Sequence, residues 1–189
     1  MSLSTLVAGV GEADRLDLEL VSGALYRGFQ GRIIPVIRLK PIPVPSNSYN
    51  PARMQYLASS LLMPVEALRC RKGYDLGFGV TLLDLYADNL NFIFGEASSR
   101  TAILSTNRLR MGLEASSGIY AKRVAVVAKH EVGHMLGLNH CHDLRCCMRF
   151  HNSVSEVDAS SGDFCPRCSG EIAETLGGRW TRRDETGLE

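Results

Sequence analysis

Nowhere does the chain carry the roughly 18–20 uninterrupted apolar residues that a membrane-spanning helix requires. Its first residues, Met1-Ser2-Leu3-Ser4-Thr5-Leu6-Val7-Ala8-Gly9-Val10-Gly11, have no basic cluster, and glycine cuts their apolar run, so they make a poor secretory signal. A surplus of charge is missing as well. The formal net charge of +1 argues against duplex nucleic acid and against an anionic membrane as partners. There is no internal repeat and no low-complexity tract. Cysteine is scarce over most of the chain: Cys70 stands alone, and the other five residues of that type lie between Cys141 and Cys168. Without an export signal, such a cluster reads as metal ligands ahead of disulfides. These absences together predict a soluble, cytoplasmic protein whose partners must be inferred from its site.

What is present suits one domain, with room for a small appended subdomain; 189 residues bury a sizeable core. Leu3 to Val10 reads as a strand, and Glu12 to Phe29 as a helix with an acidic first turn. Gly9-x-Gly11 lacks the third glycine of a dinucleotide fingerprint and serves as the turn between them. Gly31 to Lys40 is a second strand in which Pro35 demands a free or bulged edge. Pro41 to Pro51 is a loop, and Arg53 to Leu68 a helix broken near Pro64. Gly77 to Tyr86 has the continuous apolar character of a strand buried on both faces. Asn91 to Ala97 and Thr101 to Thr106 follow with connections too short for a crossover helix, so Asn91 to Ala97 should run antiparallel to the rest. A polar stretch leads to a largely buried helix, about Ile119 to Leu136. The expected fold is α/β: a mixed, mostly parallel twisted sheet with one antiparallel edge strand, an active-site helix, and a small zinc-stapled C-terminal subdomain. The division expected is 1–140 and 141–189, with a charged, partly disordered tail from Arg179 to Glu189 in which only Trp180 has anything to pack.

That helix carries His130-Glu131-Val132-Gly133-His134-Met135-Leu136-Gly137-Leu138-Asn139-His140. Residues four apart stack on one helical face, so His130 and His134 can bind one ion. Glu131 is offset from the ion and suited to hydrogen-bond a water on it. Gly137 is a natural terminator, and the chain reversal it permits can bring in His140. Three neutral histidines leave one tetrahedral position open, which is the mark of a catalytic zinc. Zinc lowers the pKa of bound water to about 7; Glu131 then accepts its proton and returns it to a leaving amine. H-E-x-x-H alone occurs by chance in helices that hold no metal; the extension through Gly137 and His140 is what makes it specific.

Cys141 directly follows the third histidine, Cys146 lies five residues on, and Cys165-Pro166-Arg167-Cys168 supplies a C-x-x-C pair. Two such pairs suit a closed, four-thiolate structural zinc that fastens the C-terminal segment beside the active site. Cys147 competes with Cys146 for this role. Redox-active or merely buried thiols are the alternative, and Cys70 reads as a buried or semi-buried small hydrophobe.

With these residues in place, the sequence resembles the archaemetzincins, a branch of the metzincin zinc peptidases. The matching positions are His130, Glu131, His134, Gly137, His140, Cys141, Cys146, Met148, Cys165 and Cys168; the gap from Met148 to the C-x-x-C is one residue shorter than the family's. The resemblance implies that Met148 is the Met-turn residue, an apolar floor beneath the histidines, and that Asn91 to Ala97 is the edge strand to which a peptide substrate adds. Some metzincins place a donor tyrosine two residues after that methionine, where this chain has Phe150. The pro-segment that restrains secreted metzincins is not seen, so access should be narrowed by the 41–53 loop or the C-terminal segment. The function expected is peptide-bond hydrolysis by a zinc-bound water activated by Glu131, with a second, structural zinc and a peptide or protein as partner. Rival readings are a zinc hydrolase of another substrate such as RNA, which the retained Glu131 disfavours, and a non-catalytic zinc protein with an occluded cleft. Arg145, Arg149, Arg167, Arg179, Arg182 and Arg183 make the C-terminal end locally basic, a feature read as a solvated face. Cleavage preference and oligomeric state are not written in these motifs.

Overall fold

The apolar run through Leu6, Val7, Ala8 and Val10 cannot be divided into a wet and a dry face, and all four residues are buried inside a sheet. The structure is a computed structural model and describes residues 2–177. The expectations for Trp180, for the tail and for Arg179, Arg182 and Arg183 fall outside those residues. In chain order the elements are β1 (Leu3–Val10), α1 (Arg15–Gly28), β2 (Ile33–Ile42), β3 (Tyr49–Asn50), β4 (Gln55–Leu57), α2 (Ala58–Lys72), β5 (Leu76–Thr81), β6 (Leu85–Tyr86), β7 (Gly95–Ala97), β8 (Thr101–Ser105), α3 (Gly118–Met135), α4 (Val154–Ala159) and α5 (Pro166–Thr175).

The main sheet has the order β2-β1-β5-β8-β7. Its pairings are parallel except the last, in which β7 runs antiparallel along β8 because only residues 98–100 join them. Pro35 is accommodated because β2 is an edge strand; the register shift against β1 comes further along, between Ala8 and Val10. Alternation sorts the core. Val7, Phe78, Ala102 and Leu104 face α1 and α3, whereas Leu6, Ala8, Val10 and Ile103 face α2.

Several boundaries differ from the sequence reading. Helix α1 begins at Arg15, with Asp14 as its cap residue. The expected helix from Arg53 starts only at Ala58, because Met54 holds φ +52 and Gln55 to Leu57 pair with β3 and β6. The helix also runs through Pro64 instead of breaking there. Leu61, Leu62, Val65 and Leu68 hold it to the sheet, and the carbonyl that Pro64 leaves free lies on Ser60, a partly exposed residue that water can reach. The strand expected over Gly77 to Tyr86 is two. Thr81 Oγ1 accepts a bond from the Leu83 amide at 3.2 Å, which turns the chain, and β6 joins the small sheet β3-β4-β6. Cys70 is exposed, not buried: it sits opposite the apolar face of α2, with its thiol beside Glu66 and Arg69.

After α3 the chain stays packed on that helix. Arg123 grips Asp158 of α4 through two bonds of 2.7 Å, and Lys129 reaches the Gly162 carbonyl and the Asp163 carboxylate. One buried cluster continues from α1 and α3 into Met148, Val157, Phe164 and Ile172. No helix among the described residues is long and apolar enough to cross a membrane.

Candidate metal centre and active-site cleft

Helix α3 is fixed at both ends. At its start the Ser117 hydroxyl accepts a bond from the Ile119 amide at 3.2 Å. At its end Gly137 takes φ +94, its amide donates to the His134 carbonyl at 2.9 Å, and the Leu138 amide donates to the Gly133 carbonyl at 3.0 Å. This is a Schellman reversal, and glycine is what makes its left-handed residue affordable. It turns the chain so that His140 comes back over the helix.

The imidazoles of His130, His134 and His140 converge: the Nε2 of His134 lies 3.0 Å from that of His130 and 3.2 Å from that of His140. Their other nitrogens decide what this means. His130 Nδ1 donates to the Cys147 carbonyl and His134 Nδ1 to the Leu138 carbonyl, each at 2.8 Å. A carbonyl only accepts, so those Nδ1 atoms hold the protons and the Nε2 lone pairs face one another. Burial, then the charge of His134, draws His130 down to about 3; burial leads the lowering at His134 and His140 too. Two neutral rings with lone pairs facing one another, and a third Nε2 beside them, suit a cation at their common point, so the donor set fits zinc.

Glu131 is 4% exposed and packs against β7, where a Cβ on Gly95 would lie 2.6 Å from its Oε1. Burial, then the charge of Glu96, pushes this carboxyl up to about 8, and a cation among the imidazoles opposes both influences. Met148 is fully buried beneath α3, and a Cβ on Gly133 would collide with its Sδ. Gly95 and Gly133 make room for Glu131 and Met148, and neither is singled out by the sequence motif. Their signals were a glycine within a strand and a glycine within a helix, each a local destabilisation without local reason. The cleft above the histidines has a volume of about 630 Å³ and runs between β7 with its approach segment on one side and Phe150 to Asn152 on the other.

The thiols of Cys141, Cys146, Cys165 and Cys168 form a second convergence, with all four Sγ atoms within 4.8 Å of one another. Cys141 and Cys165 approach to 3.7 Å, nearly twice the length of a disulfide bond, which is about 2.05 Å. Cys165 precedes α5 and Pro166 opens it, a position where the missing amide proton costs nothing. Hydrogen bonding by the Cys147 thiol draws Cys146 down to about 5, whereas burial pushes Cys165 and Cys168 up. One thiolate among buried thiols is what desolvation permits without a cation; a divalent ion would stabilise all four as thiolates. Of the two competitors, Cys146 brings its thiol to this group while Cys147 gives its carbonyl to His130. The two centres therefore share a seam twice, at His140-Cys141 and at Cys146-Cys147, and the Cys141 amide closes it by donating to the Met148 carbonyl at 2.9 Å.

Comparison with known proteins gives the same direction. The sequence pattern of peptidase family M54 matches residues 26–174. An archaemetzincin of Methanopyrus kandleri is 43% identical over 143 residues, covering 74% of this chain and 78% of its own length. That of Pyrococcus furiosus is 34% identical, covering 94% of this chain and 96% of its own. The crystal structure of the Methanopyrus kandleri archaemetzincin superposes with a TM-score of 0.82 at 32% identity, over 93% of this chain and 96% of that one. An Archaeoglobus fulgidus archaemetzincin complexed with malonate gives 0.75 at 32% identity, over 89% of this chain and 99% of that one.

Proposed function

This chain belongs to peptidase family M54, the archaemetzincins, and from its membership as a zinc metallopeptidase we propose how its own residues divide the work. His130, His134 and His140 hold the catalytic zinc through Nε2. Cys141, Cys146, Cys165 and Cys168 hold a second, structural zinc, so each chain carries two ions. Bound among the histidines, zinc would polarise a scissile carbonyl and bring the pKa of water to about 7. The observation that carries this reading is the convergence of three Nε2 atoms, with the Nδ1 protons of His130 and His134 already taken by backbone carbonyls.

An extended peptide adds along β7, the antiparallel edge of the main sheet, whose outer side no neighbouring strand of that sheet takes among the described residues. Glu131, pressed against Gly95 of that strand, is the general base: a carboxylate oxygen takes a proton from the attacking water and later gives it to the leaving amine nitrogen. Desolvation in this wall suits the carboxyl to that exchange near neutral pH. Met148 fills the space under Gly133 and keeps water from the rear of the histidines. His140 is exposed, which favours an open cleft over an occluded one. The division into 1–140 and 141–189 is proposed as one of roles, catalysis against fastening. Six free cysteines support action in a reducing compartment such as the cytoplasm.

Metal analysis with hydroxamate titration tests the reading. Two zinc ions per chain are expected, with one lost and hydroxamate binding abolished in His140→Ala. A single ion that survives His140→Ala contradicts the assignment.

A further inference from the structure

One wall of the cleft is irregular backbone. Between β6 and β7 most residues from Ala87 to Phe94 line the cleft, and the chain reverses there through Asn89, which holds φ +64. Two backbone bonds shape the stretch: the Leu90 amide donates to the Ala87 carbonyl at 3.2 Å, and the Ile93 amide to the Leu85 carbonyl at 3.0 Å. Side chains from outside the cleft hold the rest. Arg53 Nη2 donates to the Leu90 carbonyl at 2.6 Å and to the Asn91 carbonyl at 3.0 Å. Gln55, which is 6% exposed, gives one N–H to that Asn91 carbonyl and the other to Asp84, each at 3.0 Å. Its Oε1 accepts from Arg53 Nε at 3.0 Å, so the two side chains interlock, and the Asn91 carbonyl has both lone pairs engaged. Asp84 in turn holds Arg108 through two bonds of 2.7 Å, and the Arg108 guanidinium lies 4.1 Å from the ring centroid of Phe92, a residue of the wall. A charged donor that spans two successive carbonyls fixes one backbone geometry where no strand does. A wall fixed before a ligand arrives spares the binding step the cost of ordering it.

We infer that Arg53 is a positioning residue for peptide binding. From behind the wall it holds the backbone of Leu90 and Asn91 in the shape against which an extended peptide packs, with Gln55 and the Asp84–Arg108 pair as its supports. It is not among the residues that line the cleft, so it acts through the wall and takes no part in bond breaking. The expectation that the 41–53 loop governs access thereby gains a residue and a direction: no residue of that loop lines the cleft, and its last one braces the wall. A ligand that reaches only the ion is indifferent to Arg53, whereas a peptide long enough to lie along the wall is not. The inference rests on the peptidase reading of this cleft.

The zinc-loaded wild type, Arg53→Ala, Arg53→Lys and Arg123→Gln are titrated by calorimetry with two probes. Acetohydroxamate reaches only the ion; a tetrapeptidyl hydroxamate, selected on the wild type from a mixed library, also reaches the wall. In Arg53→Ala the tetrapeptidyl affinity is expected to fall about 10-fold, the scale of ordering one or two wall side chains, while acetohydroxamate affinity stays unchanged. Amide hydrogen exchange over 87–94 quickens, and on fluorogenic peptides KM rises by a similar factor while kcat holds. Arg53→Lys, which keeps a charged donor, recovers part of the loss. Arg123→Gln, which loses a clamp of the same kind between α3 and α4, changes neither affinity. Equal tetrapeptidyl affinity in wild type and Arg53→Ala overturns the proposal and leaves the peptidase reading intact. So does a parallel loss of both hydroxamates, or an equal loss in Arg123→Gln, either of which would make Arg53 a general support of the fold. A wild type that binds acetohydroxamate but gains nothing from the tetrapeptide overturns the proposal and the peptide reading together; one that binds neither overturns the ion site as well.

Discussion

Two clusters of side chains that could hold a metal ion lie side by side in this molecule, and they are built by opposite means. The histidine centre stands on a long, doubly capped helix, brings three imidazoles together, and opens on a cleft of about 630 Å³. The cysteine centre draws on loops and a helix start, brings four thiols together, and is buried. Rigid scaffold with a vacancy for substrate is what chemistry requires; loose scaffold closed by an ion is what fastening requires. The same seam, His140-Cys141 and Cys146-Cys147, serves both, so on the proposed reading the closed centre also positions the open one.

The largest effect is expected where the scaffold is weakest. Removing one thiol with Cys165→Ser should release the second ion and detach α5, lowering thermal stability by several kcal/mol and leaving the C-terminal segment open to proteolysis. Stability unchanged from wild type would show that the buried cluster, not the ion, holds this segment. At the open centre, Glu131→Gln should reduce turnover by about 10²–10⁴-fold while both ions stay bound. Loss of an ion with the activity would make Glu131 a ligand. Gly133→Ala lies between the two centres: its methyl would strike Met148, and overpacking of this kind costs about 1–3 kcal/mol. Differential scanning calorimetry should show that loss, with Met148→Ala in the same chain restoring part of it; no restoration would mean that another contact is responsible.

The smallest effect concerns the clamp between α3 and α4. The Arg123 guanidinium, bonded to Asp158, holds that carboxyl below the ordinary range. Because the folded value is depressed, the stabilisation is present in full above the unfolded value, about 3.9, and is lost as pH falls through the folded one. Thermal midpoints of wild type and Arg123→Gln measured from pH 6 down to 2 should therefore converge at the acid end. A constant gap would assign the clamp's contribution to packing.

Much of the open centre was legible because its logic is local. An i, i+4 histidine pair, a glycine terminator and a third histidine are all set by helical geometry within eleven residues. The antiparallel β7 was legible from loop length alone. What escaped was set by partners distant in sequence. Gly95 is required by Glu131, Gly133 by Met148, and the choice between Cys146 and Cys147 by a carbonyl that side-chain chemistry does not reveal. The split of β5 from β6 turns on Thr81, and the late start of α2 on the left-handed Met54. Cys70 was misjudged because a lone cysteine says nothing about which helical face it occupies; its neighbours Leu61, Val65 and Leu68 do.

The dependence of the open centre on the closed one is tested most directly by hydroxamate affinity in Cys168→Ser, measured beside its zinc content. The seam predicts loss of the structural ion together with a 10–100-fold weakening of hydroxamate binding, about what disturbed support of metal ligands produces. Loss of that ion with hydroxamate affinity equal to wild type would show that the two centres are neighbours and nothing more.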